Sequence, residues 1–248
     1  MRIVLSTLLM SLAFSQQALA LNAQQIEEKL AQDLPAVQID KVEKSDVAGF
    51  YFVDLKDGSS ILISDDGRYI FSGELIDINE RINLTQERKA TVNKALLAGI
   101  SEEDLITFKA EKETDVIYVF TDPSCPYCRL MHKEIPALNE MGITVNYLLY
   151  PRGGNRGPGF ESIQAVLHSE DKQAAIHEFK TNENSTKYDF ADKTEAEKEA
   201  VLADIKRFYD LGNKLGVRGT PATFLADGLP VSGYKEAAEL QEIINSRK

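Results

Sequence analysis

Two cysteines separated by two residues constrain this chain more than any other feature, because its 248 residues contain no further cysteine. Cys125 and Cys128 enclose Pro126 and Tyr127. A disulfide at this spacing closes almost no loop, so it removes little entropy from the unfolded chain. Exported disulfide scaffolds instead spread their cysteines along the sequence. The pair is therefore predicted to serve chemistry, with an inert or purely stabilising pair as the alternative.

The segment around the pair predicts a strand followed by a helix. Residues 116–120 form a continuous apolar run that is typical of a buried central strand. Pro126 is favoured at the first helical position, which places Cys125 at the N-cap. Free N–H groups and the helix dipole there are expected to lower the pKa of Cys125. Cys128, one turn further in, is expected to be more buried and less acidic. Cys125 then attacks a substrate disulfide, and Cys128 resolves the mixed disulfide.

The sequence after the pair predicts an α/β domain. The helix is expected to be kinked by Pro136 and to end at Gly142, and residues 143–150 form a second apolar strand. Strand, helix and strand in this order imply parallel pairing. The elements predicted beyond this unit are helical segments over about 160–216, a polar interruption at 181–192, strands at 222–225 and 230–233, and a final helix at 237–244.

A proline directly before a strand is the second chemical signal. Pro221 cannot donate to a sheet ladder, yet residues 222–225 read as a strand. A cis Thr220–Pro221 peptide bond would explain it, since cis prolines mark purposeful tight turns. The alternative is an ordinary trans proline at the start of the strand.

The first hundred residues predict a separate unit with a thin core. A helix over 22–34 precedes a strand meander with Asp-Gly turns, and a helix over 85–98 follows. Val92, Ala95 and Leu96 are predicted to form one side of this second helix, which is interpreted as a linker. The meander has few apolar positions for an independent core, so pairing with a second copy is expected to support it.

Residues 1–20 are typical of a cleaved export signal. Arg2 precedes a mostly apolar stretch over 3–14, and residues 18–20 form a small-x-small cleavage site. The apolar stretch is too short for a stable membrane span, although an N-terminal anchor is the alternative. The net charge of -11 and the absence of a basic run argue against a nucleic-acid partner.

A metal site is the remaining alternative for the cysteine pair. Zinc normally takes four protein ligands in a structural site. His132, one turn after Cys128, would bring the number to three. His168 and His177 are distant in sequence and are expected on helix surfaces. No metal and no cofactor is therefore predicted.

Taken together, these motifs resemble the DsbC/DsbG family of periplasmic disulfide isomerases, within the thioredoxin superfamily. The resemblance is carried by the CPYC centre, by residues 119–122, 142–145 and 150–153, and by residues 215–217 leading into 219–221. The meander around residues 65–67 and the linker helix also fit. The resemblance covers essentially the whole mature chain.

The resemblance implies an architecture and a set of partners. It implies a thioredoxin-like α/β catalytic domain with a helical insertion over 105–248, a small α+β dimerisation domain over 21–82, and a linker helix over 83–104. Two such chains would form a V-shaped homodimer without stable membrane association. Substrates would be misfolded disulfide-containing exported proteins, and a DsbD-type membrane reductant would supply electrons in the periplasm.

The resemblance also implies roles for residues around the cysteines. Thr220 and Pro221 would lie against the redox centre and hold substrate backbone, next to Pro126 and Tyr127. DsbC proteins usually carry Gly-Tyr between the cysteines and a second disulfide. The Pro126-Tyr127 pair and the lack of further cysteines are closer to DsbG, whereas residues 150–153 are closer to DsbC.

Three other activities stay open from sequence. A DsbG-like reductase of oxidised single cysteines, a net oxidase and a holdase chaperone with incidental cysteines would each suit an exported protein of this kind. Chaperone activity would survive Cys125→Ser, whereas disulfide isomerisation would not.

Overall fold

The structure, a computed structural model, describes residues 20–182 and 185–248. Residues 1–19 of the predicted signal peptide and residues 183–184 of the predicted polar interruption lie outside the described residues. Within the described ranges, no helix has the length and apolar character needed to cross a membrane.

The N-terminal region is a helix packed on an antiparallel meander, as predicted. Asn22 caps the first helix and forms a reciprocal capping box with Gln25. Gly58 and Gly67 adopt positive φ angles in the two predicted Asp-Gly turns. The elements are α1 (Ala23–Asp33), β1 (Ile39–Lys44), β2 (Phe50–Leu55), β3 (Ser60–Ser64) and β4 (Ile70–Phe71), with the four strands in sequential order.

The apolar core of this region is small, and much apolar surface is left outside it. Its buried cluster consists of Ile26, Leu30, Tyr51, Val53 and Ile63. The following segment contains a two-stranded hairpin of β5 (Ile76–Asp77) and β6 (Ile82–Asn83). We call residues 69–82 the apolar segment, because its large apolar side chains are exposed, up to 84% at Ile78. These side chains are Tyr69, Ile70, Phe71, Ile76, Ile78 and Ile82.

The predicted linker helix is present, and its fully buried residues are not those of the apolar side in the sequence, of which Val92 and Leu96 are half-buried. Helix α2 (Leu84–Ala98) buries Ala90, Asn93 and Leu97, whereas Ala95 is exposed. The apolar pattern was a poor guide because the helix contacts both of its neighbouring units, and some of those contacts are polar.

Polar contacts attach helix α2 to both units. On the N-terminal side, Arg88 forms ion pairs with Asp54 and Glu43 of the meander. On the other side, the buried Asn93 amide donates a hydrogen bond of 3.0 Å to the carbonyl oxygen of Gly228. The helix is therefore bonded to both units along its length.

The C-terminal region is built on a five-stranded sheet in the order β11-β10-β8-β9-β7. The central strands β8 and β9 pair in parallel, which confirms the predicted strand-helix-strand unit, and the other pairings are antiparallel. The strands are β7 (Ile106–Phe108), β8 (Asp115–Thr121), β9 (Ile143–Leu149), β10 (Ala222–Leu225) and β11 (Pro230–Val231).

Helices cover both faces of this sheet. The helix after the cysteines is broken at Glu134, shortly before Pro136, as the predicted kink requires. The helices are α3 (Pro126–Lys133), α4 (Ile135–Glu140), α5 (Phe160–His168), α6 (Lys172–Thr181), α7 (Glu195–Lys214) and α8 (Ala237–Asn245). Strand β7 and the break between α5 and α6 were not predicted.

Alternate residues of the central strands face two different apolar clusters. Val119 and Tyr147 belong to the larger cluster, which includes Met131 of α3. Phe120 and Leu148 belong to the smaller cluster, which includes Phe208 of α7. Burial on both faces explains why these strands read as continuous apolar runs.

Gly212 provides a test of packing on the α7 side. A Cβ atom there would lie 2.6 Å from Cε2 of Tyr150. That ring is stacked on Tyr209, and its hydroxyl donates to Asn213 at 3.0 Å. Alanine normally favours a helix interior over glycine by about 1 kcal/mol. Overpacking typically costs roughly 1–3 kcal/mol, so we expect a net loss for Gly212→Ala.

Denaturant unfolding measures this loss, and Gly99→Ala is the matched control. A Cβ atom at Gly99 would lie 3.5 Å from the carbonyl oxygen of Leu96, in ordinary contact, and the backbone φ is -83°. That variant should be neutral or slightly stabilised. An unchanged midpoint for Gly212→Ala would contradict the predicted clash.

Candidate functional site

The two cysteines lie at the junction of β8 and α3, as predicted. Cys125 is the N-cap residue, and Pro126 is the first residue of the helix. The backbone N–H of Cys125 donates to the carbonyl oxygen of Asp122 at 3.1 Å. Both cysteines are buried, and no disulfide joins them. The strand and the helix together therefore fix where the pair emerges from the sheet.

The buried carboxylate of Asp122 fixes the loop between β8 and α3. Oδ1 of Asp122 accepts hydrogen bonds from the backbone N–H and the hydroxyl of Ser124, at 2.8 and 2.6 Å. Oδ2 accepts from the backbone N–H and Nε of Arg152, at 3.1 and 3.2 Å. Gly159 packs so closely that a Cβ atom there would lie 2.1 Å from Oδ1. Asp122 thus connects the cysteine loop to the loop after β9.

The predicted cis peptide bond between Thr220 and Pro221 is confirmed. The Cys125 thiol donates to the carbonyl oxygen of Thr220 at 3.2 Å, although the two residues are far apart in sequence. The hydroxyl oxygen of Thr220 is buried and has no hydrogen-bond partner among the described residues. It is therefore available to a thiolate at Cys125.

The pKa of Cys125 is lowered to about 5. The largest cause is the hydrogen bond from the Cys128 thiol, and burial opposes it. The backbone N–H of Cys128, the Thr220 side chain and the charge of Arg152 lower it further. The lower pKa matches the sequence-based expectation, but its main cause differs. The side chain of Cys125 makes no regular capping hydrogen bond, so the neighbouring thiol matters more than the end of the helix.

Cys128 has the opposite character. Burial raises its pKa, and so does the hydrogen bond that its thiol donates to Cys125. The charge of Lys180 opposes both effects. One thiol of the pair is thus ionised at neutral pH while the other keeps its proton, which is the asymmetry that the attack-and-resolve order requires.

Apolar side chains surround the exit of the pair. Tyr127 is 61% exposed, and Leu130, one turn further along α3, is 40% exposed. Pro126 is also exposed. Leu130 was not predicted as a site residue, although its position three residues after Tyr127 on a predicted helix would have placed it on the same face.

The histidines do not form a metal site within the described residues, where no cluster of three or more potential ligands occurs. His132 is buried, and its Nε2 lies 3.0 Å from Nδ1 of His177. Burial lowers the pKa of His132 to about 3, so its ring is neutral at physiological pH. His177 is exposed on α6, and His168 lies half-buried at the end of α5.

Comparison with known proteins agrees with this geometry. The thioredoxin-like domain family matches residues 101–248, and the disulfide bond isomerase protein N-terminal domain family matches residues 16–86. The thiol:disulfide interchange protein DsbC of Escherichia coli K12 is 33% identical over 84% of this chain and 81% of its own length. DsbC of Pasteurella multocida is 34% identical over 97% of both chains.

A solved structure also matches at the level of part of the chain. It is a disulfide interchange protein from Neisseria gonorrhoeae, with a TM-score of 0.48 and 22% identity. The match covers 59% of this chain and 97% of that one.

A parallel strand-helix-strand unit with a CxxC pair at the helix start, opposite a cis proline, defines a thioredoxin-like thiol–disulfide oxidoreductase. The two domain matches and the identity to the curated relatives are more specific. The chain belongs to the DsbC family of thiol:disulfide interchange proteins.

Alkylation of the reduced protein across a pH range tests the asymmetry of the pair. We expect the rate for Cys125 to follow a titration near its pKa of about 5, far below the free-cysteine value of about 8.5. Cys128 should react far more slowly throughout this range. Cys125→Ser is the control that isolates the slow thiol, and a single titration near the free value would contradict the assignment.

Proposed function

We propose that this protein isomerises or reduces non-native disulfides in exported proteins, with Cys125 as the nucleophile and Cys128 as the resolving thiol. The observation that supports this most is the unequal pair. Cys125 has a lowered pKa and lies 3.2 Å from the Thr220 carbonyl, while the pKa of Cys128 is raised.

The reaction proceeds in two exchanges. The Cys125 thiolate attacks one sulfur of a substrate disulfide, and the other substrate sulfur leaves with the electron pair. In reduction, Cys128 then attacks the mixed disulfide, so that the enzyme pair is oxidised and the substrate gains two electrons. In isomerisation, a second substrate thiolate attacks instead, and Cys125 returns to its thiolate form without net electron transfer.

The surface around Cys125 suits an extended polypeptide. Thr220 offers its carbonyl oxygen beside the sulfur, and Pro221 follows it through a cis peptide bond. Pro126 and Tyr127, which follow Cys125 directly, offer exposed apolar surface. We assign Leu130 to the same surface. Apolar contact with little directional bonding fits substrates that are recognised as unfolded chains rather than by sequence.

The apolar segment, residues 69–82, supports a homodimer. Its six large apolar side chains are at least 41% exposed, and strand β4 lies at an edge of the meander. A group of exposed large apolar side chains beside an open strand edge is a liability for a monomer. A twofold pairing of the same surface would cover both features. We assign dimerisation to a domain over 21–82, the linker to 83–104 and catalysis to 105–248.

The compartment and the electron donor follow from the same chemistry. The predicted signal peptide, with cleavage near Ala20, would deliver the protein to the periplasm, where disulfides form. A protein that must present a reduced Cys125 in such a compartment needs an electron supply. A membrane reductant of the DsbD type is the proposed partner.

Single cysteine variants test the order of attack. Cys125→Ser should abolish recovery of a scrambled multi-disulfide protein, because no ionised thiol remains. Cys128→Ser should instead accumulate mixed disulfides with substrate, visible on non-reducing gels and lost on reduction. The matched serine variants differ only in position, so trapped complexes in the Cys125 variant alone would reverse the assignment. Suppression of aggregation that survives in Cys125→Ser, without recovery of native disulfides, would point to a holdase chaperone.

Charge placed in the apolar segment tests the dimer. Ile78→Glu should produce monomers in sedimentation, because each twofold contact would bury two carboxylates, and losses of about 2 kcal/mol or more are typical at interface centres. The monomer should still exchange a small disulfide but should lose most isomerisation of a scrambled protein. Leu202→Glu, at an apolar position on α7 that is 44% exposed, is the control and should stay dimeric. A monomeric unsubstituted protein at micromolar concentration would refute the dimer.

A further inference from the structure

A buried lysine lies beneath the resolving cysteine. Lys180 is 3% exposed, on the inward face of α6. Its Nζ donates to the hydroxyl of Thr121 at 2.7 Å and to the carbonyl oxygen of Cys128 at 3.4 Å. It also lies 5.3 Å from the centre of the Tyr147 ring. The lysine is thus held against both the end of β8 and the first turn of α3.

This cation has no ion-pair partner within residues 20–182 and 185–248. Asp122 attracts it through charge, but both oxygens of that carboxylate are already occupied by Ser124 and Arg152. A buried ammonium without a paired carboxylate is costly. Packing alone therefore does not account for a lysine at this position, where an apolar residue of similar length would fill the same volume.

Next to Lys180 lies Cys128, whose thiolate would need a positive charge nearby. Cys128 is fully buried, and its pKa is raised by that burial, yet only a thiolate attacks a disulfide efficiently. The charge of Lys180 lowers the pKa of Cys128, and Cys128 in turn favours the charged form of Lys180. Each group therefore offsets the desolvation of the other when both are ionised.

We propose that Lys180 is a positioning residue for the second exchange: its ammonium, held under Cys128 by Thr121, stabilises the Cys128 thiolate and speeds resolution of the mixed disulfide. The proposal rests on the attack-and-resolve order given above. In this step Cys128 loses its proton, its sulfur bonds to Cys125, and the bond between Cys125 and the substrate breaks. The substrate sulfur leaves with the electron pair and takes up one proton, so protons and electrons balance.

The groups around Lys180 set the pH range in which its charge can act. Burial lowers the pKa of Lys180 to about 8, so much of its charge persists at neutral pH and is lost in alkali. Arg129 acts in the same direction as burial, and His132 is neutral. The titratable and charged groups that face Lys180 are Asp122, Cys125, Cys128 and Arg129 from the cysteine loop and α3, His132 from α3, and Tyr147 from β9.

An aromatic disulfide, dithiobis(nitrobenzoate), separates the two exchanges in one stopped-flow trace. The first coloured nitrothiobenzoate is released when Cys125 attacks the reagent, and the second when Cys128 resolves the mixed disulfide. With the full mature protein, Lys180→Met should slow the second phase about tenfold at neutral pH, because the cation that lowers the pKa of Cys128 is lost. The first phase should change less than about twofold, and the second-phase pH profile should move to higher pH.

Matched variants separate charge from packing. Lys180→Arg keeps a cation and should retain most of the second-phase rate, while Lys180→Gln keeps a donor for Thr121 without the charge and should behave like Lys180→Met. Lys172→Met, on the same helix with its Nζ on the Glu103 carbonyl oxygen, should leave both phases unchanged. Thermal melts establish that each variant is folded.

The outcomes distinguish this proposal from the function it rests on. An unchanged second phase in Lys180→Met, equal slowing of both phases, or an arginine variant as slow as the methionine variant would overturn the role of Lys180. Loss of folding in both Lys180→Met and Lys180→Gln would make the residue structural and would overturn it as well. A second release that persists in Cys128→Ser would instead refute the order of attack itself.

Discussion

The site depends on the hydrogen bonds that Ser124 and Arg152 donate to the buried carboxylate of Asp122. A charge removed from water is tolerated only when its hydrogen-bonding capacity is filled, and four donors from Ser124 and Arg152 fill it here. These bonds fix the turn that leads into α3 and tie it to the loop after β9. They also bring the Arg152 guanidinium near Cys125, so one carboxylate both shapes the loop and places a cation that favours the thiolate.

Helix α2 relates this site to the N-terminal meander. It is anchored by ion pairs to one unit and by the buried Asn93 amide to the other, rather than lying as a free spacer. The contact between α2 and the C-terminal unit is reinforced at the surface, where Arg247 forms ion pairs with Glu87 of the helix and with Asp227. Such attachment to both units means that an interface formed by the apolar segment would orient the catalytic domains as well as join them.

The sequence was sufficient for features with a local cause. Alternation and Asp-Gly turns predicted the meander, continuous apolar runs predicted the central strands, and Pro126 at the helix start predicted the N-cap position of Cys125. The cis Thr220–Pro221 bond was predictable because a proline before a strand needs a special geometry. In each case, residues adjacent in the chain determine the local structure.

Features set by distant contacts were not predictable in this way. The burial of Asn93 in α2 was not predicted, because the carbonyl oxygen that accepts from its amide belongs to Gly228, which is remote in sequence. Lys180 appears in an ordinary polar helix, and only the fold brings it under Cys128. The chief cause of the low pKa of Cys125 is likewise the hydrogen bond from the Cys128 thiol, which no pattern of residue types specifies.

The hydrogen bond from Cys128 to the Cys125 sulfur has an electrochemical consequence. It exists only in the dithiol, because forming the disulfide consumes both its donor and the negative charge that it stabilises. Interactions that favour the reduced form raise the reduction potential of the couple. This hydrogen bond therefore makes the oxidised pair easier to reduce, which favours its recharging by a donor after each net reduction.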